Sequence, residues 1–196
     1  MPFLASALAA RPARALGLWR APLALAGFAL DGNRGRLKGR LIRALLGGLG
    51  RGDVEALAQR FLDRHWTHLF RHEALAALER HRAAGDYLVL LSASTDCYVR
   101  EIGRRLRFDE VVCTELRWDG ERLDGALASP NRRGAEKSRC LAKLRAEHAG
   151  VRFAAYGNAA SDLDHLAHAD AAILVNGSRR AQRAARALGV PSATWR

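Results

Sequence analysis

At 196 residues, 49% of them hydrophobic and 27% charged, the chain has the balance of one globular domain or a domain with a small appendage, which excludes disorder, collagen-like repeats and a coiled coil. Its formal net charge of +12 would by itself point to nucleic acid or an anionic membrane. Residue by residue that signal recedes: only Lys38, Lys137 and Lys143 are lysine, and the arginines are scattered through an alanine-rich and leucine-rich chain, so no specific nucleic-acid partner is expected.

From Met1 to Leu30 there is no acidic residue, while Arg11, Arg14 and Arg20 are present. The arginines interleave with the apolar residues and Pro12 and Pro22 break the stretch, which reads as one or two short helices packed on the rest of the chain and not as a cleaved leader. The longest apolar run, Ala21 to Leu30, is shorter than the roughly 20 residues a membrane span needs. Leu37, Leu41, Leu45 and Leu49 recur every four residues among arginines, the pattern of a surface helix with one buried stripe that weakens at Gly47-Gly48. Asp53 is a good N-cap for a helix in which Val54, Leu57, Ala58, Phe61, Leu62, His65 and Leu69 follow helical spacing. A further helix, Glu73 to Ala84, ends at Gly85. Residues 1–84 are therefore expected to be a helical region and 85–196 a second one of different grammar.

After Gly85, short apolar strands alternate with helices. Tyr87 to Leu91 reads as a buried strand running into Ser92, Tyr98 to Leu106 as a helix and Glu110 to Thr114 as a strand. Asp119-Gly120 centres a β-hairpin from Arg117 to Leu127. A helix from about Ala135 to His148, a strand Val151 to Tyr156, a helix near Asp162 to His168, a strand Ala171 to Val175 and a helix Ser178 to Leu188 complete the chain. This alternation predicts an α/β fold with a parallel sheet whose ligands sit beyond the carboxyl ends of the strands.

The strand ends carry the candidate chemistry. Ser92-Ala93-Ser94 offers a hydroxyl and backbone N–H groups at the start of a helix, a seat for an anion. Lys137 opens its helix in a chain that otherwise chooses arginine; a compact ammonium suits a single phosphate or carboxylate oxygen. Asn158 follows a strand directly, with Asp162 four residues on, so the pair can hold a hard cation such as Mg²⁺ through oxygen. Equally, Asp162 can simply cap its helix.

Together, Leu88-Val-Leu-Leu-Ser-Ala-Ser94, Phe108 to Thr114, the Asp119-Gly120 hairpin, Pro130-Asn131 with Gly134-Ala135-Glu136-Lys137, Ala155 to Asn158 with Asp162, and Ile173 to Asn176 resemble, from about residue 30 to the end, the haloacid dehalogenase superfamily of phosphohydrolases. The branch it looks most like is the one that includes phosphoserine phosphatase, with a helical cap near the N-terminus. The resemblance implies a Rossmann-like three-layer α/β/α parallel sheet and a Mg²⁺-dependent phosphatase of a small phosphorylated metabolite, working through an aspartyl-phosphate intermediate. It gives Ser92 and the N–H of Ala93 to the phosphoryl oxygens, Lys137 to the neutralisation of their charge, and Asn158 and Asp162 to the metal.

Two features depart from the family pattern. Asn158 stands where the family usually has aspartate, and the first motif, Asp-x-Asp-Gly-Thr, occurs nowhere in the sequence. The central first strand is accordingly expected to be absent, the reading frame to start upstream, and the chain to be inactive; the alternative expectation is a non-catalytic relative or binding protein.

Three further patterns are weaker. His65, His68 and His72 with Glu73 share a helical spacing, but a lone helix seldom closes a metal site. Arg132 and Arg133 can greet an anionic substrate. Cys97, Cys113 and Cys140 form no Cys-x-x-Cys pair and are odd in number, so a reducing cytoplasm is expected and neither a disulfide framework nor a zinc knuckle.

Overall fold

In the computed structural model, residues 2–13 and 32–196 are described. The apolar run Ala21 to Leu30, with Arg14, Arg20 and Pro22, lies outside them. Contacts divide the chain into two compact units, one of Met1–Leu69 with Ser92–Asn131, the other of Phe70–Leu91 with Arg132–Arg196.

Among the described residues, the N-terminal part of the first unit carries helices α1 (Pro2–Ala10), α2 (Arg34–Leu46) and α3 (Arg51–Leu69). Phe3, Leu4 and Ala7 of α1, Ile42, Leu45 and Leu46 of α2 and Val54, Leu57, Phe61 and Leu62 of α3 form one core with Leu116 and Leu123. Phe61 meets the Phe3 ring edge-on at 5.5 Å and that of Tyr98 at 5.7 Å. The helix expected to start at Asp53 starts earlier, at Arg51, so Asp53 is not its N-cap. It lies in the first turn, where a carboxylate favours the helix dipole, and accepts from Arg11 at 2.5 Å.

The buried stripe of α2 is also rotated from the expected one. Leu37 and Leu41 are half-exposed, and Lys38, Gly39, Ile42, Leu45 and Leu46 face inward. The cause is close packing on the hairpin β3 (Leu116–Asp119) and β4 (Arg122–Leu127). Gly125, at φ +87°, lets the backbones approach so far that a Cβ there would lie 2.6 Å from the Arg43 Cα.

In the same unit, α5 (Asp96–Arg105) and β2 (Glu110–Thr114) follow Ser92–Thr95 of strand β1 (Val89–Thr95), which pairs with β2. The sequence places the end of this strand at Leu91; it runs four residues further. Ser92 therefore does not open a helix, since α5 begins only at Asp96.

The second unit carries α4 (His72–Ala83), α6 (Ala135–Glu147), β5 (Ala154–Gly157), a 3₁₀ turn (Ala160–Asp162), α7 (Leu163–Ala167), β6 (Ala171–Val175), α8 (Arg179–Ala187) and β7 (Ser192–Ala193). Strands β5, β6 and β7 form a parallel sheet in that order, on which Leu163, Leu166, Leu174, Ala181, Ala185 and Val190 make a second core. The short β7 has no counterpart in the sequence expectations. Among the described residues, β1 has only β2 as a strand neighbour and β5 has only β6. The histidine spacing also fails to survive: α3 ends at Leu69 and His72 begins α4, so the three rings share no helix face.

Candidate functional site

In the second unit, α6 and the turn after β5 bring Lys137 and Asp162 together. Gly134 starts α6 at φ +59°, and the Lys137 N–H closes on the Gly134 carbonyl at 2.8 Å. This places Lys137 in the first helical turn, with its Nζ 2.9 Å from Asp162 Oδ1. The other oxygen, Asp162 Oδ2, accepts the backbone N–H groups of Asn158 and Ala159 at 3.1 Å each. Burial works to raise the Asp162 pKa, and the Lys137 ammonium with these two N–H groups outweighs it and holds the carboxyl below its usual value.

This packing depends on Gly157. A Cβ at that position would meet Asp162 Cβ at 2.7 Å and Leu166 Cδ1 at 3.1 Å, so only glycine lets the carboxylate fold under the end of β5. One turn on, His165 is 4% exposed and among the described residues its Nδ1 has no hydrogen-bond partner, as is also true of Ser161 Oγ. Burial, followed by the Lys137 charge, depresses the His165 pKa to about 4, so the ring is neutral at pH 7. Arg132 is ion-paired with Glu136.

The donor set can be tested against the divalent cation that the sequence implies. Asn158 is exposed, and Asp162 supplies a carboxylate already shared by Lys137 and two N–H groups. These are hard oxygen donors of the type Mg²⁺ takes, and that ion characteristically keeps several waters and uses one or two protein ligands. No cluster of three His, Cys, Asp or Glu ligands occurs among the described residues. The side-chain oxygens of Asn158 and Asp162 are of the type that would suit Mg²⁺, and among the described residues they do not make up an all-protein cage.

Ser92 and Ala93 belong to the first unit, and there a residue not expected from the sequence joins them. Ser92 Oγ accepts the Ser94 N–H at 3.1 Å, which leaves the hydroxyl proton free to be donated elsewhere. The Ala93 carbonyl accepts from Lys38 Nζ at 2.5 Å and from Thr114 Oγ1 at 3.0 Å. Lys38 also donates to Asn131 Oδ1. Both donors are out of solvent, Lys38 at 9% exposure and Thr114 at 0%. The sequence did contain a signal for Lys38, since lysine is as rare there as at Lys137. Beside Asn131, a groove of about 400 Å³ in the first unit is lined by Arg36, Arg40, Gly39, Leu127 and Pro130.

Burial holds Cys97 and Cys140 as thiols, and Cys113 is itself buried. None of the three is in a disulfide, burial pushes the Cys97 thiol up to about 12, and burial raises Cys140 as well.

A family model described as haloacid dehalogenase-like hydrolase matches residues 1–167. Over 164 residues, 82% of this chain and 72% of the relative, the sequence is 35% identical to Protein CicA of Caulobacter vibrioides. A protein of unknown function from Bordetella pertussis Tohama I superposes with a TM-score of 0.80 at 17% identity, covering 97% of this chain and 90% of that one. A probable phosphoserine phosphatase from Vibrio cholerae superposes with a TM-score of 0.67 at 14% identity, covering 86% and 50%. At such identities the likeness carries the fold, which is the Rossmann-like α/β arrangement with helices before it that the sequence leads one to expect.

Proposed function

The chain belongs to the haloacid dehalogenase-like hydrolase family, and from that premise we propose that it carries the phosphoryl-binding machinery of a Mg²⁺-dependent phosphatase acting on a small phosphomonoester. Ser92 donates its hydroxyl proton to a phosphoryl oxygen, joined by the Ala93 N–H. Lys137 neutralises the charge that develops on the transferring group. Asn158 holds the cation and Asp162 supports its shell; when bound, the ion supplies positive charge to the phosphoryl oxygens. The lost charge at Asn158 weakens the metal relative to a carboxylate. Residues 1–84 act as the cap region that chooses the substrate and 85–196 as the core. The cytoplasm is the proposed compartment, supported by three cysteines outside any disulfide; among the described residues no helix is long and apolar enough to cross a membrane.

The observation that carries this reading is the Lys137–Asp162 pair under Gly157, a buried cation and anion that a purely structural turn would not need. Support for an anionic, phosphorylated ligand also comes from the arginine-lined groove beside Asn131.

The missing Asp-x-Asp-Gly-Thr motif favours a second reading for the chain as it stands: a phosphoryl-binding protein that does not turn over. Both readings are tested together. The 196-residue chain is expected to bind orthophosphate in calorimetry, to lose that binding on Lys137→Ala, and to leave an aryl phosphate uncleaved with or without Mg²⁺. Extended at its N-terminus by a strand ending in Asp-x-Asp-Gly-Thr, it is expected to hydrolyse the ester with Mg²⁺. Turnover by the 196-residue chain alone would refute the reading that the attacking aspartate belongs to the missing Asp-x-Asp-Gly-Thr motif, and failure to bind orthophosphate would refute the site.

A further inference from the structure

Three hydrogen bonds of the first unit converge on one peptide group. Lys38 Nζ donates to the Ala93 carbonyl at 2.5 Å, and that carbonyl shares its rigid peptide plane with the Ser94 N–H. The Ser94 N–H donates in turn to Ser92 Oγ at 3.1 Å. An ammonium on the oxygen end polarises the peptide group and makes its N–H a stronger donor, and a hydroxyl oxygen that accepts a strong bond becomes a stronger donor through its own proton. Thr114 Oγ1 fixes the same carbonyl from the end of β2 at 3.0 Å.

The arrangement does not resemble an incidental surface lysine. The residue is 9% exposed and sits on α2 among Ile42, Leu45 and Leu46, where an apolar side chain would serve packing. Burying a long cationic chain carries a desolvation cost that packing alone does not repay. It spans 55 residues of sequence to reach Ala93 and 93 to reach Asn131, so within the first unit α2 is tied to strand β1 at Ala93 and to the loop after β4 at Asn131.

We propose that Lys38 is a positioning residue of the phosphoryl site: through the Ala93–Ser94 peptide it orients and polarises the Ser92 hydroxyl, with Thr114 as the neutral second tether. This rests on the reading of Ser92 as a phosphoryl ligand and adds the group that sets its strength. Lys38 acts through Ser92 and not by touching the ligand.

The test is a double-mutant cycle on the full 196-residue chain, with orthophosphate as the probe and ¹⁵N-labelled protein as the readout. Lys38→Met is expected to weaken orthophosphate about tenfold, the worth of one charge-assisted hydrogen bond, and to move the free chain's Ser94 amide proton upfield, with the thermal midpoint kept. In a Ser92→Ala background the same substitution is expected to change affinity less than about twofold, because its effect is transmitted through that hydroxyl. Thr114→Val, which keeps the charge, is expected to give a smaller loss in the same direction, and Thr114→Ser to restore it. An equal loss from Lys38→Met with and without Ser92 would overturn the relay, as would an unmoved Ser94 amide. Lys137→Ala separates the two proposals. If it abolishes binding while Lys38→Met leaves affinity intact, the phosphatase reading stands and this one falls. If the wild-type chain does not bind orthophosphate, the phosphatase reading falls, and the Ser94 amide shift alone still decides the relay.

Discussion

Lys137 Nζ and Asp162 Oδ1 lie 2.9 Å apart, with side chains only 12% and 7% exposed. A pair this far out of water is more costly to break than to replace as a whole, because removing one partner strands the other's charge. Lys137→Met and Asp162→Asn are each expected to lower the unfolding free energy in urea by about 3 kcal/mol, and the double variant by clearly less than their sum. Losses under about 1 kcal/mol would mean that water already screens the pair.

The same carboxylate sets an acid limb. Its folded pKa lies below the ordinary value of 3.8, so its stabilisation is fully present above the unfolded value and is lost as pH falls through the folded one. Urea midpoints collected from pH 5 downward are expected to drop more steeply below about 3.9 in the wild type than in Asp162→Asn. Parallel curves would remove Asp162 as the cause.

His165 has the opposite requirement. Its folded pKa is depressed from 6.5 to about 4, first by burial and then by Lys137, so the native state resists a proton that the unfolded chain accepts. Stability is therefore complete above pH 6.5 and declines as pH falls toward 4, by about 3 kcal/mol at most. His165→Gln is expected to flatten the curve between those values, and an NMR titration should find the ring neutral at pH 6. A wild-type curve flat from pH 7 to 5 would sink the assignment.

The features carried by local pattern were legible in the sequence and those carried by tertiary fit were not. Because apolar runs and turn residues act locally, strands β2 and β6 match their expected ranges, and the Asp119-Gly120 hairpin starts one residue early, at Leu116. The family resemblance put Lys137 and Asp162 in one site with Ser92 and Asn158, and the structure shows the Lys137–Asp162 contact. By contrast, the face of α2 is decided by the close approach at Gly125, which no periodicity records, and that rotation is what hid Lys38 beneath a leucine repeat. The overrun of β1 to Thr95 has a similar origin: Ser94 N–H closes on Ser92 Oγ and the Ala93 carbonyl is held from two sides, so an apparent strand end stays extended. The spacing of His72 from His65 and His68 suggests one helix because spacing alone cannot see the break between Leu69 and His72.

Phe61 tests the packing of α1 against α3. It is 2% exposed and meets Phe3 edge-on at 5.5 Å. Phe61→Ala is expected to cost about 3 to 5 kcal/mol by cavity formation, measured by urea denaturation. A Phe3→Leu, Phe61→Leu cycle should show a coupling of about 0.5 to 1.5 kcal/mol from the ring contact. Additive single effects would show that α1 is not docked on α3 in solution.

Gly157 gives the sharpest structural test of the site, because the obstacle is a single methyl group. Its own backbone dihedrals are not in the left-handed region, so alanine meets no local backbone penalty there. What it meets is Asp162 Cβ at 2.7 Å, Leu166 Cδ1 at 3.1 Å and Asp162 Oδ2 at 3.2 Å. The Leu166 methyl can yield only into a core where that residue is 1% exposed, and Asp162 can yield only by stretching its bonds to the Asn158 and Ala159 N–H groups. Gly157→Ala is therefore expected to cost about 1 to 3 kcal/mol by overpacking and to shift the Asn158 and Ala159 amide resonances upfield as those bonds lengthen. It should also weaken orthophosphate, since Lys137 is oriented by the displaced carboxylate. Stability within about 0.5 kcal/mol of wild type, with both amides unmoved, would show that the strand end has room to spare and that glycine is not what seats Asp162.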